Sequence, residues 1–368
     1  MISNDVFGPE KVLEVFDYKS GLHGFVVIDN TALGPGKGGI RMTPGVSVEE
    51  VFKLARTMTW KTSMAGLPFG GAKAGIAADP RNLTQKQKDA MMAAFGKALR
   101  PVCPSLYVSA PDINTAEHEM GVFAKANGSL KACTGKPKKM GGIPHELGST
   151  GFGVFHAAKV AARLSGIELS HATVAVEGFG NVGSFAAKFL EKEGAKIVAV
   201  SDSKGIVYCP DGFDVAMLSK VKSSTGSVVN YEGTPVSRVD SIVSLKVDIL
   251  VPAAVPDLIT PSNVGSVQAR LIVEGSNITM APELEEQLHA RGIRVVPDFV
   301  ANAGGVISSY VEYIKGTPKK MFELVEKKVS ANTLQVLKAS EKKGVSPRMA
   351  AEEIAMQRVV KAMKKRKS

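Results

Sequence analysis

The chain has 368 residues, 44% of them hydrophobic and 22% charged, a composition that excludes an intrinsically disordered protein and predicts two globular domains. No apolar run approaches the roughly 18 residues of a membrane span, and the first ten residues lack the order of a secretory signal, so we expect a cytoplasmic protein without a membrane segment. The net charge of +11 suits anionic partners, either metabolites or nucleic acid.

Neither nucleic-acid binding nor metal binding has a clear signature. The basic tail at 361–368 is short and has no interleaved aromatic residues, so we expect a solvated helix end. Three cysteines (Cys103, Cys133 and Cys209) lack CxxC spacing, and six histidines lack an HExxH pair. The sequence therefore predicts ordinary thiols and no metal site.

The first elements in chain order are those of an α/β domain. Strand-like runs at 13–18 and 23–29 flank a turn and predict an antiparallel hairpin. Beyond the glycine-rich segment 34–42, apolar residues recur at helical spacing from Val48. Then follow a strand at 73–79, a helix near 84–99, a strand at 106–111 and a helix opening near Thr115. This order predicts a mostly parallel sheet covered by helices, with the hairpin at one side.

A domain junction is expected within 141–153, which is dense in glycine and without periodicity. Beyond it a βαβ rhythm restarts, and further strands and then amphipathic helices follow. Strands are expected at 173–178, 196–202, 248–254, 270–276 and 293–298, a helix from about 182 to 193, and helices past 302. We predict domains at 1–148 and 149–325 with a cleft between them, and C-terminal helices at 326–368 that pack back on the first domain.

A dinucleotide fingerprint, GxGxxG, lies at Gly178, Gly180 and Gly183. It follows an apolar strand, opens a helix, and precedes by about twenty residues a second strand that ends at Asp202, which is the context that the fingerprint requires. The first glycine allows the turn, the second lets backbone approach a pyrophosphate, and the third lets helix meet strand. This pattern predicts a Rossmann-like domain that binds NAD or NADP.

The coenzyme preference stays open at this point. Asp202 favours NAD, because a carboxylate accepts from the ribose 2′-hydroxyl and repels a 2′-phosphate. Ser203 and Lys204 follow directly and are suited to hold that phosphate.

Three lysines occupy glycine-rich or helix-terminal places: Lys37 in GKGGIR, Lys61 in TWKTSM and Lys73 in GGAKAG. Around Lys73 the glycines remove side-chain cover and the apolar neighbours desolvate the ammonium. Because burial disfavours the charged form, we expect a lowered pKa for Lys73, as suits a group that handles protons near neutral pH. The alternative is three solvated surface lysines.

Asp112 follows a predicted strand, where a loop residue can enter a cleft. Its alternative role is to cap the following helix, but Thr115 is better placed for that.

Several motifs in order, from about residue 10 to 315, resemble the glutamate, leucine, phenylalanine and valine dehydrogenase superfamily: GKGGIRM, KTSMAGLPFGGAKAGI, APDINTAE, GFGNVG, VEGSN and PDFVANAGGVISSYVEY. Within it the match is closest to the glutamate dehydrogenases. The resemblance implies reversible NAD(P)-dependent oxidative deamination of L-glutamate to 2-oxoglutarate and ammonium. It also implies a substrate-binding and oligomerising first domain and a homo-oligomer, with the hexamer familiar in the superfamily.

The resemblance further implies roles for single residues. Lys73 would polarise the carbonyl or activate water, and Asp112 would move protons to and from the amino group. Lys61 would pair with the substrate α-carboxylate. Further substrate contacts would come from Lys37 and Ser309, which would grip the distal carboxylate, and from Val306, which would line the side-chain pocket. Cofactor contacts would come from Thr150, Asn181, Val182, Asn277 and Asn302, of which Thr150, Asn181 and Asn302 lie toward the nicotinamide.

Two departures and two alternatives accompany this expectation. The junction reads PHELGST where glutamate-type members commonly have a GR pair, and SYVEY replaces the more usual SYFEW. One alternative is a dehydrogenase of branched-chain or other apolar amino acids, which Lys37 and Ser309 disfavour. The other is a catalytically silent nucleotide-binding or nucleic-acid-binding protein, which the presence of both Lys73 and Asp112 disfavours.

Overall fold

The computed structural model describes residues 4–232, 237–238 and 241–367 and confirms the two-part α/β architecture. The first compact unit contains the described residues up to His145, Val306–Met321 and those from Ala355 onward. The second contains Glu146–Gly305 and Phe322–Ile354, apart from the undescribed positions. Residues 1–3 and Ser368, which fall within the regions considered for a signal and a basic tail, lie outside the described residues.

The compact units differ from the predicted domain ranges in the C-terminal part of the chain. Of residues 326–368, predicted to pack on the first domain, those from Ala355 onward belong to the first unit, whereas 326–354 belong to the second. Val306–Met321, predicted within the second domain, belong to the first unit. Helical periodicity shows which face of a helix is apolar but not which core that face meets. Helix α10, Pro318–Lys343, has 26 residues, is about 39 Å long and has residues in both units.

The sheet of the first unit is mixed and has the strand order β1-β2-β4-β3-β5. Its strands are β1 (Lys11–Asp17), β2 (Leu22–Asn30), β3 (Gly36–Thr43), β4 (Gly70–Ala77) and β5 (Tyr107–Pro111). β3 pairs with β4 and β5 in parallel, while β1 pairs with β2 and β2 with β4 in antiparallel fashion. The predicted hairpin at one side of a parallel group is confirmed.

Strand β3 was not predicted, because its glycines hide the alternation by which strands are recognised. A Cβ on Gly36 would lie 2.7 Å from the Ala72 Cβ, and one on Gly38 only 1.6 Å from the Ala72 carbonyl oxygen. Both positions therefore require glycine so that β3 can approach β4. β3 lies second from the edge of the sheet, between β4 and β5.

Helices cover both faces of this sheet, as predicted. They are α1 (Val48–Met64), α2 (Gln85–Ala98) and α3 (Glu117–Asn127). Ser47 caps α1 by accepting from the Glu50 N–H, and Thr84 forms a capping box with Gln87 in α2. Alternate residues of β2 are buried on opposite faces: Val26 packs in the cluster of α2 and α3, and Val27 in that of α1.

The sheet of the second unit has the order β12-β11-β10-β6-β7-β8-β9. Its strands are β6 (Thr173–Glu177), β7 (Lys196–Asp202), β8 (Gly205–Tyr208), β9 (Ser237–Arg238), β10 (Ile249–Pro252), β11 (Leu271–Val273) and β12 (Arg294–Val296). The five predicted strands are confirmed and parallel, whereas β8 and β9 are antiparallel additions that were not predicted. The chain order reverses at β6, which lies between β10 and β7. In open α/β sheets ligands bind outside the carboxyl ends of the strands at such a switch point.

The remaining helices begin with α4 (Ser149–Leu164), α5 (Asn181–Lys192), α6 (Val215–Thr225), α7 (Pro282–Ala290) and α8 (Asp298–Ala301). They continue with α9 (Gly304–Tyr313), α10 and α11 (Pro347–Lys367). The basic tail is the end of α11, as predicted. One of its basic side chains, Arg366, donates a hydrogen bond to the Thr31 hydroxyl of the first unit at 2.7 Å.

Among the described residues, no helix is both long and apolar enough to cross a membrane, and no group of three or more potential ligands is placed to hold a metal. The three cysteines are buried free thiols.

Candidate active site

The parallel strands of the first unit place three cationic residues on one face of the sheet. Lys37 and Arg41 of β3 lie beside Gly71 and Gly75 of β4, so Lys73 falls level with Gly39 between them. Side chains two residues apart on a strand share a face. Lys37, Arg41 and Lys73 therefore point to the same side.

Asp112 joins this group because it follows β5 at the level of Arg41, where Pro111 pairs with Ile40. A Cβ on Gly39 would lie 2.7 Å from the Cβ of Asp112, so glycine at 39 leaves room for the start of the Asp112 side chain. The expectation that Thr115 caps the following helix is wrong. The Thr115 hydroxyl instead donates to the Ile40 carbonyl at 2.7 Å and accepts from the Asp112 N–H at 2.9 Å.

Lys73 and Asp112 form an ion pair in which Nζ lies 2.8 Å from Oδ2. The same oxygen accepts from Arg41 Nε at 3.0 Å, and Arg41 in turn pairs with Glu50 near the start of α1. Lys73 is 7% exposed, so the ammonium is almost removed from water. One carboxylate oxygen thus receives two cationic donors.

The protonation of this pair follows from burial and charge. Burial lowers the pKa of Lys73, and the nearby Asp112 carboxylate only partly opposes this. For Asp112, burial acts to raise the pKa, but the charges and hydrogen bonds of Lys73 and Arg41 outweigh it, so the pKa lies below its usual value. Asp112 is consequently ionised at neutral pH and able to accept a proton.

Lys37 is more deeply buried, with 1% exposure, and its Nζ donates to the backbone carbonyls of Ser109 at 2.7 Å and Val108 at 3.4 Å. Burial lowers its pKa to about 7. An ammonium in this setting is strongly stabilised by any anion that approaches it.

The other predicted substrate residues lie on two helices of the same unit. Lys61 is half-buried in the last turn of α1. Val306 is buried, and Ser309 is half-buried one turn later on α9. The structure thus brings Lys73 and Asp112 into contact, places Lys37 on their sheet face, and puts the remaining three on α1 and α9.

Arg41 is a site residue that sequence reasoning missed. It lies in the GKGGIR segment, four residues after Lys37, and a strand assignment there would have put both on one face. The glycines that conceal β3 also concealed this relation.

The second unit builds the features expected of a dinucleotide site at its switch point. Gly178 has φ +87°, and a Cβ there would lie 2.4 Å from that of Ala254, just after β10. A Cβ on Gly183 would lie 1.9 Å from the Gly178 carbonyl oxygen, whereas Gly180 has no atom within 4 Å of such a Cβ. The first and third glycines therefore allow close packing, and the second leaves open space at the N-terminus of α5, which begins at Asn181 and Val182.

Asp202 at the end of β7 is held by four donors of the same unit. Oδ1 accepts from the Lys204 N–H at 2.9 Å and the Ser227 hydroxyl at 3.0 Å, and Oδ2 accepts from the Val228 N–H at 2.8 Å and Lys222 Nζ at 2.9 Å. Burial acts to raise its pKa, but these donors outweigh it, and the pKa lies below its usual value. The carboxylate stays charged, yet Lys222 balances that charge. Ser203 lies beside it in the turn to β8.

The last cofactor candidates lie around the carboxyl ends of the strands. Asn302 is buried and its amide nitrogen donates to Asn277 Oδ1 at 3.0 Å and to the Ser276 carbonyl at 3.2 Å. Thr150 lies in the first turn of α4, where its hydroxyl would meet a Cβ on Gly305 at 3.0 Å. Open space over Gly180, a helix N-terminus and clustered amides fit a bound dinucleotide.

Comparison with known proteins agrees with both units. The family model for Glutamate/Leucine/Phenylalanine/Valine dehydrogenase matches residues 141–367, and that for the Glu/Leu/Phe/Val dehydrogenase dimerisation domain matches residues 9–128.

Individual relatives match over most of their length. The chain is 41% identical over 357 residues to a glutamate dehydrogenase of Aeropyrum pernix, covering 92% of this chain and 85% of that protein. It is 42% identical over 355 residues to an NADP-specific glutamate dehydrogenase of Saccharolobus shibatae, covering 92% and 83%. A solved hetero-hexameric glutamate dehydrogenase of Thermus thermophilus, in a leucine-bound form, superposes with a TM-score of 0.85 at 30% identity, covering 97% of this chain and 90% of that one. The chain belongs to the glutamate, leucine, phenylalanine and valine dehydrogenase family.

Proposed function

We propose that this chain is an NAD(P)-dependent glutamate dehydrogenase, which interconverts L-glutamate and 2-oxoglutarate with release or uptake of ammonium. The observation that carries the proposal is the buried Lys73–Asp112 ion pair with buried Lys37 on the same sheet face. Relatives named as glutamate dehydrogenases at about 40% identity support the substrate. The first unit would bind the substrate and the second the coenzyme.

In the oxidative direction, bound nicotinamide supplies the acceptor for a hydride from the glutamate Cα. Asp112, ionised and beside Lys73, accepts a proton from the substrate amino group, which leaves an imine. Lys73, with a lowered pKa, takes a proton from water as that water adds to the imine carbon. As the resulting carbinolamine collapses, its hydroxyl proton passes to the amino nitrogen and the C–N bond breaks, which gives 2-oxoglutarate and ammonia. The ammonia takes the proton that Asp112 had accepted and leaves as ammonium, and Lys73 returns its proton to solvent. Reversal of these steps is reductive amination.

Substrate orientation follows from where the cations lie. Lys61 would pair with the α-carboxylate, Lys37 and Ser309 with the distal carboxylate, and Val306 would line the intervening methylenes. A dehydrogenase of apolar amino acids would leave the Lys37 ammonium buried without an anion, an arrangement that burial penalises. We therefore favour glutamate over branched-chain substrates.

Initial rates of reductive amination test the proposal directly. We expect a substantial rate with 2-oxoglutarate and ammonium, and a rate at least about 100-fold lower with 4-methyl-2-oxopentanoate, because the latter has no anion for Lys37. Activity on the apolar acid alone would support an amino-acid dehydrogenase but would show that its substrate is an apolar amino acid and not glutamate. Inactivity on both, with NADH and with NADPH, would reject the enzyme proposal.

We propose that the enzyme accepts NADPH as well as NADH. The support is that Lys222 balances the charge of Asp202, so its repulsion of a 2′-phosphate is reduced, while Lys204 lies in the adjoining turn. In the same rate assay, Lys222→Met is expected to lower kcat/KM with NADPH more than with NADH. An equal effect on both coenzymes would contradict this use of Lys222.

We propose that Arg41 keeps Asp112 ionised. Arg41→Met removes one of two cations on Asp112 Oδ2, so the pKa of Asp112 rises; it also removes a positive charge that lowers the pKa of Lys73. In reductive amination Asp112 must be ionised and Lys73 protonated, so the acidic and the alkaline limb of the pH profile of kcat/KM for 2-oxoglutarate are both expected to move to higher pH. The matched control is Glu50→Gln, which leaves Arg41 in place and removes a carboxylate that raises the pKa of Lys73. In this variant the alkaline limb of the pH profile is therefore expected to move to lower pH. An unmoved acidic limb in Arg41→Met would refute the role.

We also propose a homo-oligomer. Edge strand β1 carries Val12 and Phe16 with 46% and 68% exposure, and residues 9–128 match the family's dimerisation domain. Light scattering of the purified chain at several concentrations checks this, and a mass of one 38.8 kDa chain throughout would exclude it.

A further inference from the structure

Glu312, in the last turn of α9, holds the segment 135–143 of the first unit. It is 5% exposed, and its Oε1 accepts from Lys136 Nζ at 2.5 Å. Oε2 accepts from the Gly135 N–H at 3.0 Å and the Ile143 N–H at 3.1 Å. One side chain of α9 thus binds both ends of this segment.

Lys136 completes a buried ion pair and has a second bond, from Nζ to the Cys133 carbonyl at 2.7 Å. The two paired side chains are 5% and 2% exposed. A buried pair of this kind contributes little net stability compared with apolar residues, because desolvation offsets the attraction, but removing one partner leaves a buried charge. The pair therefore contributes more to holding α9 and the segment 135–143 together than to net stability.

The segment held by Glu312 is directly connected to Lys37. Cys133 forms a parallel bridge with Ser109, and the Thr134 N–H donates to the Ser109 carbonyl at 3.0 Å. That carbonyl is the one that accepts from Lys37 Nζ at 2.7 Å. Glu312 thus reaches Lys37 through Lys136, residues 133–134 and one shared carbonyl.

The charges of the pair also act on Lys37, in opposite directions. Besides burial, the groups that shift the pKa of Lys37 are Cys133 and Glu312, which raise it, and Lys136 and Lys73, which lower it. In the intact pair Glu312 and Lys136 therefore oppose each other in their effect on the pKa of Lys37.

The same side chain fixes the helix that carries Ser309. Ser309 precedes Glu312 by three residues, so the two are neighbours on one side of α9. Phe69, just before β4, packs edge-on against Tyr310 and Tyr313 of the same helix, with centroids 5.9 and 5.2 Å apart. Glu312 and Phe69 therefore hold this helix from two directions.

We infer that the Glu312–Lys136 ion pair is a positioning pair that selects substrates with a distal carboxylate, by holding α9 with Ser309 in register and by balancing the charge around Lys37. The pair touches no reacting atom. The inference rests on the proposed function, because it concerns the residues assigned there to the distal carboxylate.

Steady-state kinetics of Glu312→Gln, Lys136→Met and the double variant test the pair. The probes are 2-oxoglutarate and 2-oxopentanoate, which lacks the distal carboxylate. In Glu312→Gln we expect KM for 2-oxoglutarate to rise about tenfold or more and kcat/KM for 2-oxopentanoate to change less than about threefold. Such a split is not expected from a general loss of fold.

The pH dependence of KM gives a second readout. Only the charged Lys37 attracts the distal carboxylate, so KM for 2-oxoglutarate rises as pH passes the pKa of Lys37. Glu312→Gln removes an attraction and leaves Lys136 unopposed, so this rise shifts to lower pH. Lys136→Met leaves Glu312 unopposed, so it shifts to higher pH. The double variant returns it toward the wild-type position.

The double variant also keeps the test valid if a single variant does not fold, because it buries no unpaired charge. The control is Glu193→Gln, which breaks an exposed ion pair with Lys159 in the second unit. It is expected to change neither KM nor kcat/KM for either 2-oxoacid. Equal losses on both 2-oxoacids in folded Glu312→Gln, or KM profiles that do not move in opposite directions in the single variants, would overturn the inference. Wild-type inactivity on 2-oxoglutarate would instead reject the proposed function, and the inference with it.

Discussion

Lys73→Ala is expected to lower kcat for reductive amination of 2-oxoglutarate about 10³-fold or more while leaving coenzyme binding nearly unchanged. Reductive amination runs the proposed mechanism in reverse, so the Lys73 ammonium gives a proton to the departing water, and a positioned acid–base group contributes about 10²–10⁴-fold. The substitution also removes one of the two cations on Asp112 Oδ2, so the pKa of Asp112 rises and its acceptor form is less populated at low pH. The loss of the Lys73 amino group and the rise in the pKa of Asp112 therefore both lower the rate.

The measurement is kcat and KM for 2-oxoglutarate across pH, together with the dissociation constant of NADPH by fluorescence titration. A matched control is Lys53→Ala, since Lys53 is exposed on α1, and it is expected to keep the full rate. Retention of turnover within about tenfold in Lys73→Ala would show that the residue does not handle protons in the reaction. Loss of coenzyme binding would indicate a folding defect and would be checked by thermal unfolding.

Lys37→Leu is expected to reverse substrate preference. For 2-oxoglutarate we expect kcat/KM to fall about 10³-fold, because the distal carboxylate would enter an apolar site without a partner. For 2-oxopentanoate and 4-methyl-2-oxopentanoate we expect little loss, since leucine adds apolar surface beside a short methylene chain. A comparable loss on all three acids would contradict pairing of Lys37 with the distal carboxylate.

The same variant has an expected effect on stability with a defined pH dependence. The folded chain lowers the pKa of Lys37 from 10.5 to about 7, so between about pH 7 and 10.5 the unfolded chain binds more protons at this group. Lys37 therefore makes the free energy of unfolding rise with pH across that window, and its penalty is largest below about pH 7. Lys37→Leu removes this slope and is expected to be at least as stable as wild type at pH 7. Urea unfolding at pH 7 and pH 9.5 measures the difference.

Local patterns in the sequence were sufficient to predict most of the helices and strands, although not β3, β8 or β9, and the βαβ unit of the coenzyme domain. The apolar periodicity of α1 and the strand-like runs of the first hairpin each predicted a structure that short-range interactions specify. The fingerprint at Gly178, Gly180 and Gly183 predicted its strand, turn and helix because those glycines are required by backbone contacts within one βαβ unit. The family itself was identified from motifs in their order, and comparison confirmed it.

Contacts between distant segments could not be derived from those patterns. Strand β3 has glycines where Ala72 of β4 approaches, so neither the strand nor the position of Arg41 beside Asp112 was visible in its own segment. Three of the four donors to Asp202 come from α6 and the turn after it, some 20 to 26 residues further along the chain.

The sequence by itself determined most of the α/β elements, the dinucleotide fingerprint and the expectation that Lys73 is desolvated by its neighbours. Only the tertiary structure decided that Asp112 pairs with both Lys73 and Arg41, that Lys37 faces the Ser109 carbonyl, and that Glu312 binds Lys136 from 176 residues away. The physical reason is the distance along the chain between the residues that interact. Caps, turns and periodic faces depend on residues within about one or two turns of each other, whereas burial and ion pairing depend on which strands and helices become neighbours in the fold.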